Sequence, residues 1–304
     1  VKSALGMSPA REFGPVRVYA GEKNGKYPDG NQVIVQGADS RAVFDSPLVS
    51  NRIGADFDDA DLVIQGHMHE DHVAGLQRLP QADVYIHEGD LPALQSWEGL
   101  KKAYGYADDV SETLRESIER SFNYQPRPDA IGYSDGHSWD LGGGISVKAL
   151  HTPGHTAGHC VLLVEPEGVL CTGDIDLSGF GPYYGDLTSN LADFRRSLDR
   201  LAQIPATTWV TFHHRGIYTD RNTFLADLQA FADKIDARSE RLLALLADRP
   251  RTLEELAVQG VLYDPAKAPP WAPSAERYTI AQHLEELLEQ GRVAQGGENR
   301  YCLA

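Results

Sequence analysis

The sequence predicts an α/β protein, in which β-sheets carry helices on their outer faces and a smaller helical region follows. Short apolar runs of strand composition alternate with amphipathic segments of helical spacing up to about residue 219. Histidine and aspartate clusters directly follow four of these runs. Beyond residue 219, long helical patterns replace most strand signals. We therefore expect two domains, residues 1–219 and residues 220–304.

Length, composition and charge restrict the functional class. The chain of 304 residues is long enough for a sizeable core, and its hydrophobic fraction of 41% is ordinary for a globular protein. A formal net charge of −16 disfavours a nucleic-acid backbone as substrate. Three cysteines are too few for a disulfide framework, and no apolar run has the length of a membrane span or of a signal-peptide core. These features predict a cytoplasmic protein with no membrane association.

The first region carries most of the strand signals, separated by turns rich in glycine and asparagine. The predicted strands are VRVYA, NQVIVQG, RAVFDS, ADLVIQG, ADVYIHE, ISVKALHT, HCVLLVEP, GVLCTGD and TTWVTF. Helical spacing predicts helices at HVAGLQRL, GDLPALQSWEGLKKAYG, residues 109–124 and SNLADFRRSLDRLAQI, the third of them beginning with a Ser/Glu capping box. The alternation is typical of sheets covered by helices.

The C-terminal region has a different pattern. Residues 219–248 predict one long helix or two, RTLEELAVQG predicts a short helix, and RYTIAQHLEELLEQGR predicts a third. Two short strands follow it. Helix, helix, helix and hairpin is the order of a winged helix, and we place the domain boundary near residue 220.

The stretch GHMHEDH places four possible metal ligands after the predicted strand ADLVIQG. Neutral imidazole and carboxylate groups suit zinc and other borderline divalent ions. His67 and His69, two positions apart, face the same side of an extended segment, whereas Asp71 and His72 offer ligands in another direction. The alternative is a solvated, histidine-rich loop. Four ligand-type residues at this spacing favour two adjacent metal ions, as in two-metal hydrolases.

Three further clusters follow predicted strands. HTPGHTAGH contains a Pro-Gly turn from which His155 projects, and CTGDID ends with Asp174 at its tip. VTFHHRG places His213 and His214 after a fourth strand. Strand ends that all carry ligand-type residues predict one site built along an edge of the sheets.

In this order, the motifs resemble those of the metallo-β-lactamase superfamily over roughly residues 16–217. They are H-x-H-x-D-H at 67–72, T-P-G-H-T at 152–156, G-D at 173–174 and a histidine at 213 or 214. AVFDS also resembles the superfamily's strand ending in aspartate, here Asp45, although Ser46-Pro47 stands where Thr-Gly is usual. The resemblance implies a four-layered αββα sandwich.

The resemblance also implies two metal sites. The first would use His67, His69 and His155; the second would use Asp71, His72 and His213 or His214; Asp174 would bridge them. We favour His213 because it directly follows the strand. Zinc is the expected metal, and manganese or iron would also suit these ligands. Thr156, His159 and His151 resemble positions near the metals rather than ligands.

The implied activity is that of a binuclear metal-dependent hydrolase of the glyoxalase II and lactonase-like branch. A metal-bridging hydroxide would attack a small ester, lactone or thioester, with Asp71 and Asp174 as the catalytic carboxylates. The alternatives are a nucleic-acid-processing metallohydrolase that uses the winged helix and an iron-dependent dioxygenase of the same fold. Three glutamates against one arginine in the stretch YTIAQHLEELLEQGR favour packing, a homodimer interface or an active-site cover over nucleic-acid binding.

Two segments are candidates for shaping a small-molecule pocket. SGFGPYYGDLTSN follows Asp174 and carries possible substrate contacts, which are Phe180, Tyr183 and Tyr184. These aromatic residues could equally be buried against helices. The insertion at 97–136 is interpreted as an active-site cover or as surface decoration, and its possible anion-binding residues are Lys101, Lys102 and Arg127.

Overall fold

The computed structural model describes residues 6–304, and its strands form two large sheets and one hairpin. The first sheet contains β1 (Arg11–Phe13), β2 (Val16–Tyr19), β3 (Gln32–Gln36), β4 (Arg41–Phe44), β5 (Leu62–Ile64), β6 (Asp83–His87) and β7 (Ile131–Tyr133). The second contains β8 (Ser138–Gly142), β9 (Ile145–His151), β10 (Cys160–Glu165), β11 (Val169–Cys171), β12 (Thr208–Val210) and β13 (Ile217–Tyr218). The hairpin is β14 (Val293–Gln295) and β15 (Tyr301–Leu303).

Eight α-helices lie in the described residues. They are α1 (Ala55–Asp58), α2 (Leu91–Gln95), α3 (Trp97–Tyr104), α4 (Asp108–Ser121), α5 (Leu191–Gln203), α6 (Arg221–Leu246), α7 (Leu253–Ala257) and α8 (Ala272–Glu289). From residue 6 onward, every helix is too short or too polar to cross a lipid bilayer. The predicted lack of a signal peptide concerns a segment whose residues 1–5 lie outside the described range.

The strands that precede the ligand motifs run in common directions within each sheet. In the first sheet, β4 and β5 are parallel neighbours. In the second, β11 is parallel to β12, and β10 runs antiparallel to both β9 and β11. Strands β9, β11 and β12 therefore end on the same side of their sheet, which is where three of the motifs begin.

The sheets pack face to face, and helices cover both outer faces. Alternation along β10 shows this most simply. Cys160, Leu162 and Val164 lie in the core between the sheets, whereas Val161 and Leu163 lie in a second core beneath α5 and α6. A strand buried on both faces reads as a continuous apolar run, as HCVLLVEP does. Helices α2, α3 and α4 cover the other sheet. These four layers confirm the predicted fold class.

Helix α6 contributes to two hydrophobic cores. Phe224 and Ile235, in its first part, pack beneath the second sheet. Leu242 and Leu246, near its end, join α7, α8 and the hairpin in a separate core. The region after β13 thus contains three helices followed by a hairpin; its classification as a winged helix and the boundary at residue 220 stay predictions.

Helix α8 is fixed to the larger part of the molecule by side-chain hydrogen bonds. The Tyr278 hydroxyl donates to the carbonyl of Gly105 at 2.6 Å. Gln282 donates to the carbonyl of Tyr184 at 3.0 Å and accepts from the amide of Leu191 at 2.6 Å. One face of α8 is therefore engaged in intramolecular packing.

Two predictions of local structure were wrong. HVAGLQRL does not form an α-helix, since this stretch contains only a short 3₁₀ turn at Leu76–Arg78. Helix α4 begins after Ala107 without a side-chain cap, and Ser111 lies inside the helix, where its hydroxyl donates to the carbonyl of Tyr106. In addition, GDLPALQSWEGLKKAYG forms two helices, because Ser96 is extended and caps α3 by accepting from the Gly99 amide.

Candidate metal centre

The four ligand motifs converge where the strands β5, β9, β11 and β12 end. Nitrogen and oxygen atoms from the first group, which comprises His67, His69, His155 and Asp174, all lie within 4.8 Å of one another. His67 Nε2 is 3.1 Å from His69 Nδ1 and 3.2 Å from His155 Nε2. Asp174 Oδ2 is 3.3 Å from His155 Nε2. The three imidazoles and the carboxylate thus face one small space.

A second group, Asp71, His72 and His213, lies beside the first. Asp71 Oδ2 is 2.9 Å from His213 Nε2. Asp174 Oδ1 is 3.0 Å from His72 Nε2 and 3.7 Å from His213 Nε2. Because Oδ2 of Asp174 faces the first group, its carboxylate lies between the two groups.

The two histidines of the predicted alternative occupy different positions. His213 is almost fully buried and faces Asp71, and its Nδ1 lies 2.9 Å from the carbonyl oxygens of Gly25 and Asp29. His214 is half-buried, has a positive φ of 61° and lies 3.6 Å from Asp176. The structure brings His213 into the cluster and leaves His214 at its edge.

The donor atoms fit divalent cations better than they fit one another. Asp71 Oδ2 carries no hydrogen bond within the described residues, although a histidine nitrogen is close to it. In the first group, neutral imidazoles would turn their lone pairs toward each other, and charged imidazoles would repel one another. Either arrangement is relieved by a cation between the rings. Burial and the neighbouring His72 hold the pKa of His67 well below its usual value, which favours the neutral, metal-binding form.

The carboxylate between the two groups is in its metal-binding state as well. Burial tends to raise the pKa of Asp174, but the nearby imidazoles of His72 and His213 hold it well below its ordinary range. A charged carboxylate together with several imidazoles is the donor set that zinc and similar ions prefer. The residues present therefore fit two divalent ions.

Short backbone contacts hold the loop that carries the first motif. Ser46 donates from its amide to the carbonyl of His72 at 2.7 Å and from its hydroxyl at 3.0 Å. Asp45 Oδ1 accepts from the amide of Gly66 at 2.7 Å, and its other oxygen lies 3.0 Å from His72 Nδ1. Ser46 thus anchors this loop although it differs from the residue usual in the superfamily.

His159 fixes the position of Asp174 without facing the cluster directly. Its Nε2 accepts from the amide of Asp174 at 3.2 Å, and its Nδ1 lies 3.1 Å from the carbonyl of Thr152. These contacts require the neutral ring, and burial lowers the pKa of His159 to about 3. A Cβ at Gly173, whose φ is +53°, would lie 2.6 Å from this Nε2. Glycine therefore permits the close approach.

Thr156 and His151, also expected near the metals, have other contacts. Thr156 donates from its hydroxyl to Asp90 at 2.6 Å. His151 Nε2 lies 2.9 Å from the carbonyl of Ala157, and its ring stacks on His87 at 4.0 Å between centroids. Neither side chain belongs to the two ligand groups.

Asp186 is a functional candidate that the sequence analysis missed. Its Oδ2 lies 2.7 Å from His69 Nε2, opposite the Nδ1 atom that faces the first ligand group. Its other oxygen accepts from the hydroxyls of Tyr106 at 2.9 Å and Tyr183 at 3.2 Å. Burial lowers the pKa of His69, but Asp186 more than offsets this and raises it to about 9. A carboxylate on the far nitrogen orients a ligating imidazole and increases its basicity.

Replacing Asp186 with asparagine is expected to weaken metal binding about 10- to 100-fold, because the carboxylate no longer orients His69. Competition with a chelating indicator measures this affinity. Asp199→Asn, an exposed aspartate on α5, is the matched control and should bind metal like the parent protein. Equal affinity in the parent and Asp186→Asn would show that Asp186 has no role at the metal.

A cavity of about 540 Å³ opens above the two ligand groups. Phe180 and Tyr183 line it, and so do Tyr104 and Tyr106 from the insertion at 97–136. The structure brings Tyr27, Tyr263 and Trp271 to the same cavity from distant parts of the chain. No local motif marks these three residues, because tertiary packing alone places them there.

Tyr184 lies elsewhere. It is fully buried, and its hydroxyl accepts from Arg238 at 3.0 Å and contacts His283 Nε2 at 2.8 Å. Arg238 also donates to the carbonyls of Phe180 and Pro182. Tyr184 is therefore part of a buried hydrogen-bond network that holds the loop after β11, and it does not line the cavity.

The basic residues of the insertion are engaged in local contacts. Lys101 lies 2.9 Å from Asp108, and Arg127 donates to the carboxylate of Asp129 and to two backbone carbonyls. Lys102, like these two, does not line the cavity above the ligand groups. The structure therefore does not place the suggested anion-binding residues at the candidate site.

Comparison with known proteins gives consistent matches. The model of the family described as the Metallo-beta-lactamase superfamily matches residues 30–214. A Beta-lactamase-like protein 2 homolog from Drosophila melanogaster is 26% identical over 234 residues, which cover 77% of this chain and 70% of that protein. A hydroxyacylglutathione hydrolase from Rhizobium etli is 34% identical over 128 residues, which cover 42% of this chain and 44% of that protein. The crystal structure of a metallo-beta-lactamase family protein from Thermus thermophilus has a TM-score of 0.70 and 28% identity, and the match covers 95% of this chain and 99% of that one.

Proposed function

Because the chain belongs to the metallo-β-lactamase superfamily, we propose that it is a binuclear metal-dependent hydrolase of a small ester, lactone or thioester. The observation that carries the proposal is the convergence of seven donor residues from four separate motifs. They are His67, His69, Asp71, His72, His155, Asp174 and His213.

Each donor residue has a definite part in this proposal. His67, His69 and His155 would hold one ion, Asp71, His72 and His213 would hold the other, and Asp174 would serve both. When bound, two such ions supply an activated water and a Lewis acid for the carbonyl oxygen of the substrate. Zinc is the expected ion on the basis of its ligand preference.

The protein's own side chains supply orientation and water exclusion. Asp186 holds the ring of His69, and His159 holds the backbone of Asp174. The hydroxyl of Tyr104 donates a hydrogen bond to Glu70. This buried carboxylate in the first ligand motif is therefore engaged in a hydrogen bond within the protein. Aromatic side chains above the cluster remove water from the substrate and thereby strengthen electrostatic interactions within the site.

Hydrolysis replaces the bond from the acyl carbon to the leaving oxygen or sulfur with a bond to the oxygen of water. The products are a carboxylic acid and an alcohol or thiol, and no oxidant or reductant is consumed. Asp71, which lines the cavity, is the carboxylate that we propose takes up a proton.

Metal removal tests the proposal. Protein stripped by a chelator is expected to lose hydrolysis of an ester, lactone and thioester panel, and addition of about two equivalents of Zn²⁺ should restore it. Metal content and initial rates are measured on the same samples. A protein that hydrolyses the panel at full rate without metal would contradict the proposal.

The same preparation separates the alternatives. Iron-loaded protein that consumes oxygen with a persulfide, and does not hydrolyse the panel, would indicate a dioxygenase. Cleavage of RNA or DNA with steep salt dependence would indicate nucleic-acid processing. Either result, without hydrolysis of the panel, would replace the proposed function.

A further inference from the structure

The walls of the cavity are aromatic and come from distant segments. Tyr27 precedes β3, Tyr104 ends α3, Phe180 follows β11, and Tyr263 and Trp271 precede α8. The ring centroids of Phe180 and Tyr263 are 5.6 Å apart, so that the loop after β11 meets the C-terminal region there. Such walls offer apolar faces to a bound group, while the ligand clusters form the floor.

The charges around the cavity disfavour an anionic substrate group away from the floor. Glu70, Asp71, Asp174 and Asp176 line it, and Lys26 is the one lysine or arginine among the described residues that does so. Two divalent ions would add four positive charges at the floor, which these four carboxylates offset. Apart from Lys26, the described residues that line the cavity thus offer no guanidinium or ammonium group of the kind that recognises carboxylates and phosphates.

The C-terminal part of the wall is held in place by a buried carboxylate. Glu276, on α8, accepts from the backbone amides of Val261, Leu262 and Tyr263 at 2.7–2.8 Å. Three hydrogen bonds to one charged group fix this backbone. The wall is therefore present before a substrate binds, which lowers the entropic cost of binding.

From these observations we infer that the cavity selects an uncharged acyl group of aromatic or medium alkyl size, and that Tyr263 and Trp271 determine this selectivity. The inference rests on the proposed hydrolase function and specifies its substrate class. A volume of about 540 Å³ accommodates such a group together with part of the leaving group.

Three thioesters of N-acetylcysteamine test the inference, because they share one leaving thiol and differ only in the acyl group. The acyl groups are phenylacetyl, pentanoyl and succinyl. In the zinc-loaded protein, kcat/KM should be highest for phenylacetyl and at least about tenfold lower for succinyl than for pentanoyl. Equal rates, or a preference for succinyl, would overturn the inference and leave the proposed function intact. If the zinc-loaded protein hydrolyses none of these thioesters and none of the esters and lactones of the panel, the proposed function itself would be rejected.

Variants locate the selectivity. Trp271→Ala should lower kcat/KM for the phenylacetyl thioester about tenfold and reduce its advantage over succinyl. Val258→Ala removes an exposed apolar side chain of the same region and is the matched control, which should leave both values unchanged. An unchanged ratio in a folded Trp271→Ala variant would overturn the role of Trp271, and Tyr263→Ala tests the neighbouring wall in the same way. The ratio in the parent protein tests the substrate class even if a variant fails to fold.

Fluorescence provides a readout that does not need catalysis. The chain has four tryptophans, and Trp97, Trp139 and Trp209 are buried away from the cavity. Phenylacetamide should therefore change the emission of Trp271 saturably. It should bind with an affinity at least about tenfold higher than that of succinamate. The signal should disappear in Trp271→Phe. A signal that persists in this variant, or equal affinity for the two amides, would contradict the inference.

Discussion

Replacing Asp174 with alanine is expected to lower kcat/KM for hydrolysis at least about 10³-fold and to reduce bound metal below two equivalents. Its two oxygens lie 3.3 Å from His155 Nε2 and 3.0 Å from His72 Nε2, so that one substitution removes a donor from both groups. The loss also removes the negative charge that faces these imidazoles. Metal analysis and steady-state kinetics on the same preparation measure both effects.

Asp140→Ala is the control for this experiment, since Asp140 is an exposed aspartate on β8. It should retain both metals and full activity. Asp174→Asn keeps the volume of the side chain and removes its charge, and it should resemble the alanine variant in metal content. Two equivalents of metal and unchanged kinetics in Asp174→Ala would show that the carboxylate does not join the two groups.

Replacing Arg238 with methionine should destabilise the protein by about 3 kcal/mol, because three buried acceptors lose their donor at roughly 1 kcal/mol or more each. These acceptors are the carbonyls of Phe180 and Pro182 and the hydroxyl of Tyr184. The guanidinium also lies over the rings of Phe180 and Tyr184, at 5.5 and 5.3 Å from their centroids. Urea unfolding followed by circular dichroism measures the free energy of unfolding.

The same substitution should raise KM, since Phe180 lines the cavity and loses its backbone anchor. Arg238→Lys should recover only part of the stability, because an ammonium cannot reproduce the planar fork of the guanidinium. Arg241→Met, an exposed arginine one turn along α6, is the matched control and should change stability by less than about 0.5 kcal/mol. Equal stability in the two methionine variants would remove the structural role assigned to Arg238.

The layers, and the clustering of the histidine and aspartate side chains, could be predicted from the sequence because both are encoded locally. Strands buried on two faces appear as apolar runs, and their ends are followed directly by His67 or His155 or Asp174. Strand direction then brings those ends together. The clustering of the predicted donor residues required no knowledge of contacts distant in sequence.

Features that depend on tertiary contacts were missed or wrongly predicted. HVAGLQRL has helical spacing, but Ser46 binds the carbonyl of His72 and accepts from the amide of Gly75, so that the chain cannot continue into a helix there. Asp186 is a single carboxylate in a loop, and only its distance from His69 reveals a role. Propensity is a weak guide where such contacts decide the conformation.

The C-terminal wall of the cavity also limits what similarity implies about this chain. The family match ends at residue 214, whereas Glu276 and the backbone segment that it holds lie well beyond it. Relatives can therefore share the ligand groups and still differ in substrate preference, through changes in a region that the family model does not cover. Exchanging residues 258–271 of this chain would therefore be the most direct way to engineer a new substrate preference.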